Sequence, residues 1–349
     1  MNATDPDMKQ IIGLVAAGER LNVDQARAAF EIMMSGAATP AQIGGFLIGL
    51  RVRGETVDEI TGGAMTLRAQ AVAIAAPEGA IDIVGTGGDA RGTHNISTAT
   101  ALVVAGAGVP VAKHGNRAVS SKSGAADVLS ELGVALDADM ALVQRALSEA
   151  GLCFMLAPRH HGAMRNVGGP RVELATRTIF NLLGPLANPA GVGRYLLGVY
   201  DRAWVAPMAE VLGRLGATRA WVVHGADGMD ELSTTGPSHV AELIDGAVRT
   251  FDVSPAEAGL GQCAPADLVG GTPAENAAAI RALLDGAPGP LRDVVLLNAA
   301  AALIVAGVAA DLPAGVALAA RAIDQGAAKA KLDSLVAITN ANSDTDPAS

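Results

Sequence analysis

No strand-like alternation of apolar and polar residues interrupts positions 8 to about 72, and helix boundaries punctuate that stretch. Thr39-Pro40-Ala41-Gln42 supplies a capping side chain, a proline at the first helical position and a glutamine where a capping box needs it. Thr56-Val57-Asp58-Glu59 is a second capping box, Gly54 closes the helix between the two, and Asn22-Val23-Asp24-Gln25 opens an earlier helix. The pattern predicts a small all-helical domain over residues 1–75.

From Ile81 the rhythm changes to strand, glycine-rich turn and helix. Short apolar runs at 81–84, 109–112, 153–157, 195–200 and 219–223 are separated mostly by alanine-rich helical patterns. That alternation predicts an α/β domain with a mainly parallel central sheet flanked by helices. Ile244-Asp245-Gly246-Ala247 adds a hairpin signal. Residues 158–190 break the rhythm with His160, His161, several arginines, Gly184-Pro185 and Asn188-Pro189. Within them, 171–190 is expected to return to the helical domain, leaving a larger domain made of 76–170 and 191–340. The most apolar segment, 294–310, is alanine-rich, holds Asn298 and falls short of a bilayer span, so it reads as a buried helix. The polar residues 341–349 read as a disordered tail.

Composition sharpens this picture. The chain has 349 residues, more than one core usually supports, which agrees with two domains. Half of the residues are hydrophobic but only 3% are aromatic, so Ala, Val, Leu and Ile must build the core. A net charge of −10 argues against a nucleic-acid surface and leaves room for one anionic ligand in a local basic cleft. Cys153, in an apolar run, reads as a buried thiol; with Cys263 it makes no disulfide framework, which fits a reducing compartment. The first residues lack the basic and apolar regions of a secretory signal, so a cytoplasmic location is expected.

The stretch from Ile81 to Asn116 concentrates the chemistry. A β-branched run leads into Gly85-Thr86-Gly87-Gly88-Asp89, then Asn95-Ile96-Ser97-Thr98, then Lys113-His114-Gly115-Asn116-Arg117. Bare backbone N–H groups, a helix start and a lysine are what a multiply charged phosphate ligand needs. The Asp89 carboxylate would repel a lone phosphate; it fits a sugar hydroxyl or a metal travelling with the phosphate. The glycine spacing matches neither the dinucleotide fingerprint nor a Walker loop, and a plain strand-to-helix turn is the alternative. Ser97 suits either a helix cap or a Mg2+ ligand. The cluster at Lys113 follows a strand, where open α/β sheets bind ligands, although a solvated basic turn would look the same. Ser120-Ser121-Lys122-Ser123-Gly124 adds hydroxyls at another helix start.

Asp230 and Glu231 repel each other when both are ionised, so the pair is costly without a cation. Mg2+ takes one or two carboxylates plus substrate phosphates; a solvated acidic loop is the alternative. Arg171, approached through Gly168-Gly169-Pro170, suits planar carboxylate recognition, or else it pairs with Glu173 at a helix start. His160 and His161 lack a third ligand at zinc spacing. His114 and His161 read as hydrogen-bonding or stacking residues of a pocket. No arrangement indicates a covalent nucleophile.

Together these motifs resemble the anthranilate phosphoribosyltransferases. The family pattern runs GTGGD, NIST, KHGNR with SS downstream, a His-x-Ala-Met segment followed by an Arg, RTIFNxLGPLxNP, and DGxDE. It stands here at 85–89, 95–98, 113–117 with Ser120-Ser121, 161–164 with Arg171, 177–189 and 227–231. The resemblance implies a helical domain hinged to an α/β domain, a homodimer, and a reaction in tryptophan biosynthesis. The phosphoribosyl group of 5-phosphoribosyl 1-diphosphate (PRPP) would pass to the amine of anthranilate, giving N-(5-phosphoribosyl)anthranilate and diphosphate. It also implies site residues. Gly85, Gly88, Asp89, Thr93, Asn95, Ile96, Ser97, Thr98, Lys113, His114, Gly115, Asn116, Arg117, Ala118, Val119, Ser120, Ser121 and Ala125 would surround PRPP. Gly85, His114, Asn116, His161 and Arg171 would face anthranilate, with Arg171 on its carboxylate. Ser97, Asp230 and Glu231 would hold Mg2+, directly or through the diphosphate, and Lys113, Asn116 and Arg171 would bear on catalysis.

Four departures from the family pattern bear on pocket shape: His94 for Phe, Gly162 for Pro, Ala125 for Ser, and Gly169-Pro170 before Arg171. Two rivals share the fold. A pyrimidine nucleoside phosphorylase would not need the 85–98 block with the acidic pair, and a non-enzymatic nucleic-acid-binding relative would carry a basic surface.

Overall fold

The structure is a computed structural model that describes residues 7–118 and 122–341. The start of the chain, the expected tail from 342 onward, and Val119, Ser120 and Ser121 of the expected PRPP site lie outside the described residues.

Four helices open the fold: α1 (Met8–Ala16), α2 (Val23–Met34), α3 (Pro40–Arg53) and α4 (Val57–Ala69). Each begins with a capping box, at Asp7, Asn22, Thr39 and Thr56; three of these were readable from the motif and Asp7 was not. Gly54 ends α3 at φ 92°, in the left-handed region that suits glycine.

The second part follows as β1 (Ile81–Gly85), α5 (Ile96–Gly106), β2 (Val111–Gly115), α6 (Ala125–Glu131), α7 (Met140–Arg145), β3 (Leu152–Leu156) and α8 (Ala157–His160). Two short helices, α9 (Arg165–Leu174) and α10 (Phe180–Leu183), precede β4 (Arg194–Gly198), α11 (Val205–Arg214), β5 (Arg219–Gly225), β6 (Ser238–Ile244) and β7 (Ala247–Val253). The chain ends in α12 (Pro273–Leu284), α13 (Pro290–Val305), α14 (Leu312–Asp324) and α15 (Ala327–Thr339).

Among the described residues the sheet has seven strands in the order β3-β2-β1-β4-β5-β6-β7. The first five are parallel, and β6 and β7 are antiparallel. The chain therefore builds outward from β1 to β3, then returns to place β4 on the other side of β1. Such a reversal leaves a crevice between diverging loops at the carboxyl ends of the two strands. The β6–β7 turn has both central residues, Asp245 and Gly246, at positive φ (51° and 76°), as its Asp-Gly signal predicts.

One boundary differs in a way that matters. The apolar run predicts a strand over 109–112, but β2 spans Val111–Gly115, so Lys113 and His114 lie inside the strand rather than in the turn after it. Both are buried. Their polarity hid the strand, because the pairing of β2 with β3 needs only backbone.

α9 packs against α2 and α3, and α10 against α4. Arg68 of α4 donates to the carbonyls of Leu186 (2.6 Å) and Leu215 (3.0 Å) and to the Tyr195 hydroxyl (3.1 Å), tying the helices to the sheet layer. The crossing segment is held by Val72 N–H on the His160 carbonyl (2.9 Å) and Ile74 N–H on that of Pro189 (3.3 Å). α13 is buried along most of its length, as its apolar pattern predicts, and so is Cys153. Among the described residues no helix is long and apolar enough to cross a membrane.

Candidate active site

The carboxyl ends of β1 and β2 open into a cleft of about 720 Å3. The loop after β1 makes two consecutive left-handed steps, Gly87 (φ 67°) and Gly88 (φ 74°), which only glycine takes without strain. Its Gly87 N–H is not bare: it donates to Asp230 Oδ2 at 2.7 Å. The acidic loop after β5 in fact lies across the ends of β1 and β4. A Cβ on Gly85 would overlap the Asp230 carboxylate, and one on Gly198 would collide with the Asp230 carbonyl. That close approach explains why both strands end in glycine.

Asp227 shapes the acidic loop. Its Oδ1 accepts from Met229 N–H (3.1 Å), and its Oδ2 accepts from the hydroxyls of Ser233 (2.6 Å) and Thr235 (2.7 Å). Asp230 and Glu231 then project into the cleft. Burial, with the Asp89 charge adding to it, pushes the Asp230 carboxyl up to about 6. Burial, then the charges of Asp230 and Asp89, raise that of Glu231 well above its ordinary value. The acidic pair is therefore not a solvated loop.

Lys113 is buried beside them. Its Nζ donates to the Ile83 carbonyl (2.5 Å) and to Ser97 Oγ (3.3 Å). Burial lowers its pKa, opposed by Asp82, Glu231 and Asp230. Ser97, at the start of α5, also donates its N–H to Glu231 Oε1 at 3.1 Å, so one residue joins the cation to the carboxylate pair. Asn95 is the N-cap of α5, yet no side-chain cap bond forms. Behind Lys113, the buried Asp82 accepts from His114 N–H (3.1 Å) and from Asn188 Nδ2 (2.7 Å), and Asn188 also donates to the Ala112 carbonyl (2.9 Å). Burial raises Asp82 to about 6.

His114 and His161 meet edge to face, with ring centroids 5.2 Å apart and planes at 63°. Burial pushes His114 down to about 3 and His161 to about 4, so both are neutral imidazoles at pH 7. The backbone of Gly184 lies near the first ring, and that of Ala187 and Leu67 near the second. Even so, His114 Nε2 and both nitrogens of His161 make no hydrogen bond of ordinary geometry among the described residues. Arg171 stands in the last turn of α9 with its guanidinium 4.9 Å over the Phe180 ring. Only burial lowers its pKa, no carboxylate opposing it; the alternative pairing with Glu173 does not form.

The fold brings most of the expected residues to this one cleft. Gly85, Gly88, Asp89, Thr93, Asn95, Ser97, Lys113, His114, Gly115, Asn116, Arg117, Ala118, Ala125, His161, Arg171, Asp230 and Glu231 all line it. Ile96 and Thr98 do not; their side chains are buried in the first turns of α5. Several lining or supporting residues were missed from sequence. Arg165 and Asn181 line the cleft. Arg177 donates to the Gly88 carbonyl and lies 4.1 Å over the Tyr200 ring. Asp127 accepts from the N–H groups of Ala118 (2.9 Å) and Gly124 (3.0 Å), which fixes those two backbone positions. The signal for Asp127 was its place three residues after Gly124 at a helix start; Arg177 and Asn181 stand inside the quoted 177–189 motif.

Among the described residues no trio of His, Cys, Asp or Glu forms a complete metal cage. Two mutually repelling carboxylates, Asp230 buried and Glu231 partly buried, beside a serine fit Mg2+, which keeps positions open for substrate phosphates.

The family model described as "Glycosyl transferase family, a/b domain" matches residues 77–329, and "Glycosyl transferase family, helical bundle domain" matches residues 9–71. The chain is 63% identical over 338 residues to the anthranilate phosphoribosyltransferase of Rhodospirillum rubrum, covering 97% of each chain. Among solved structures it is similar to anthranilate phosphoribosyltransferase from Thermus thermophilus, with TM-score 0.90, 44% identity, and 95% and 99% of the two chains covered. It is also similar to the Saccharomyces cerevisiae enzyme in complex with PRPP and Mg, with TM-score 0.86, 26% identity, and 95% and 97% covered. Sequence motifs, fold and near-full-length identity agree, and the chain belongs to the anthranilate phosphoribosyltransferase family.

Proposed function

We propose that this chain transfers the phosphoribosyl group of PRPP to the amine of anthranilate, releasing diphosphate, as a step of tryptophan biosynthesis. The observation that carries the reading is the cleft itself. It holds an arginine with no carboxylate partner among the described residues, as an anionic aromatic acceptor requires, and a Lys113–Ser97–Glu231 cluster, as a diphosphate requires.

In the reaction the bond from the anomeric carbon to the diphosphate oxygen breaks, a bond to the anthranilate nitrogen forms through an oxocarbenium-like state, and that nitrogen gives up one proton to water or to the departing diphosphate. Diphosphate leaves readily and the amine is already nucleophilic, so no covalent protein intermediate is needed. Catalysis is then largely orientation, for which the left-handed glycine loop, Ser97 and Lys113 hold one substrate and Arg171 the other. Lys113 places its positive charge where negative charge grows on the departing diphosphate. Neutral His114 and His161 present uncharged ring surface to the acceptor without repelling Arg171. Asp230 and Glu231, with Ser97, would hold Mg2+, which when bound neutralises the diphosphate charge.

On this reading residues 1–75 with 171–190 form one body and 76–170 with 191–340 the other. Closure about the crossing segment would keep water from the oxocarbenium-like centre. A homodimer in the cytoplasm belongs to the same proposal. The decisive assay follows anthranilate fluorescence. It should fall only when PRPP and Mg2+ are both present, and constant fluorescence with all three components would overturn the assignment.

A further inference from the structure

The largely buried helix α13 carries one buried amide. Over positions 294–305 of α13 every residue except Ile304 is buried, and Asn298 is the only polar one. Asparagine forms helices less well than the alanines and leucines around it, and a buried amide is unfavourable unless its polar atoms are satisfied. Here they are satisfied mainly by a loop. Oδ1 accepts from Leu232 N–H at 3.0 Å, and Nδ2 donates to the Leu232 carbonyl at 2.8 Å and to the Val294 carbonyl at 2.9 Å. Leu232 directly follows Glu231. Core packing alone would be served by a leucine of similar volume, so the amide answers to the loop.

The loop needs such an anchor. Its two carboxylates, Asp230 buried and Glu231 partly buried, repel each other, and both would gain by turning out to water. Asp227 fixes the upstream side. On the downstream side Asn298 holds the N–H and the carbonyl of Leu232, which fixes the peptide units on either side of that residue. Asn298 does not itself line the cleft, and its hydrogen bonds go to backbone groups rather than to the carboxylates.

We infer that Asn298 is a positioning residue for the Asp230–Glu231 pair, and that its two-point grip on Leu232 keeps the pair set to receive the metal–diphosphate end of the substrate. This rests on the metal reading proposed above. It is tested without turnover, by Mn2+ titration followed by electron paramagnetic resonance with PRPP present and anthranilate absent. Asn298→Leu and Asn298→Ser should weaken Mn2+ binding about tenfold, as loss of a residue that orients metal ligands does. Leu303→Val, a buried change on the same helix, should leave binding unchanged, and melting by circular dichroism identifies folded variants. Unchanged Mn2+ affinity in a folded Asn298 variant overturns the inference. The double variant Asp230→Asn with Glu231→Gln separates the two claims. If it binds Mn2+ like the parent, the metal reading fails and this inference with it. If it loses binding while the Asn298 variants keep it, only this inference fails. Should neither Asn298 variant fold, the parent decides: the Leu232 amide should exchange with deuterium as slowly as α13, and fast exchange refutes the grip.

Discussion

Arg171 brings a positive charge into the cleft over the face of Phe180, with no ion pair among the described residues. A charge held half-buried without a counterion is unfavourable by itself, and a ligand carboxylate would relieve it. Arg171→Ala should therefore raise KM for anthranilate and lower kcat/KM by the equivalent of about 1.5–3 kcal/mol, with KM for PRPP little changed. Arg171→Lys should recover only part, because a point charge lacks the planar fork. Steady-state kinetics with each substrate varied in turn checks both, and an unchanged anthranilate KM in the alanine variant would remove Arg171 from the acceptor site. At this scale the motifs were readable, since each carries a residue type that its chemistry needs. Not readable was which backbone groups were already engaged. Gly87 N–H belongs to Asp230, a residue 143 positions away, and no local pattern announces that.

Among the elements, the helix starts were the most legible, because a cap is a local event within four residues. Glu59 shows what tertiary structure adds to one. It completes the Thr56 capping box through Thr56 N–H (2.9 Å), and it also accepts from Leu21 N–H (3.0 Å) and from Arg53 (2.5 Å) while fully buried. Glu59→Leu strands all three donors and should cost about 3–5 kcal/mol, as breaking a buried pair does. Thr56→Ala removes only the cap and should cost about 1 kcal/mol. Thermal melts should rank the two in that order; equal losses would mean that Glu59 is merely a cap. The strands were less legible. β2 hides Lys113 and His114 because hydrophobicity, not backbone pairing, is what a sequence displays.

Across the whole molecule, burial of ionisable groups sets a pH dependence with two opposing parts. Asp82 and Asp230 have folded values near 6 against ordinary values of 3.8, and Glu231 is raised in the same direction. Such groups bind protons more tightly when folded, so they weaken the fold as pH rises through that window. His114 and His161, with folded values near 3 and 4 against 6.5, weaken it instead as pH falls below 6.5. Only the first penalty is relieved by a cation bound at Asp230 and Glu231. Mg2+ with PRPP should therefore raise the melting temperature more at about pH 7.5 than at about pH 5.5, because ligand binding requires the carboxylates ionised. A larger shift at the acid pH would contradict the carboxylate assignment.

The sequence by itself determined the helix caps, the strand-and-helix alternation, the anionic-ligand motifs and the family likeness, since these rest on spacing over a few residues. Tertiary structure alone decided that loops from residues 85 to 231 share one cleft, that Gly85 and Gly198 make room for Asp230, and that an asparagine in an apolar helix grips the acidic loop. Those facts depend on contacts between distant positions. The order β3-β2-β1-β4-β5 creates them, by setting β4 beside β1 so that the β5 loop can fold across both.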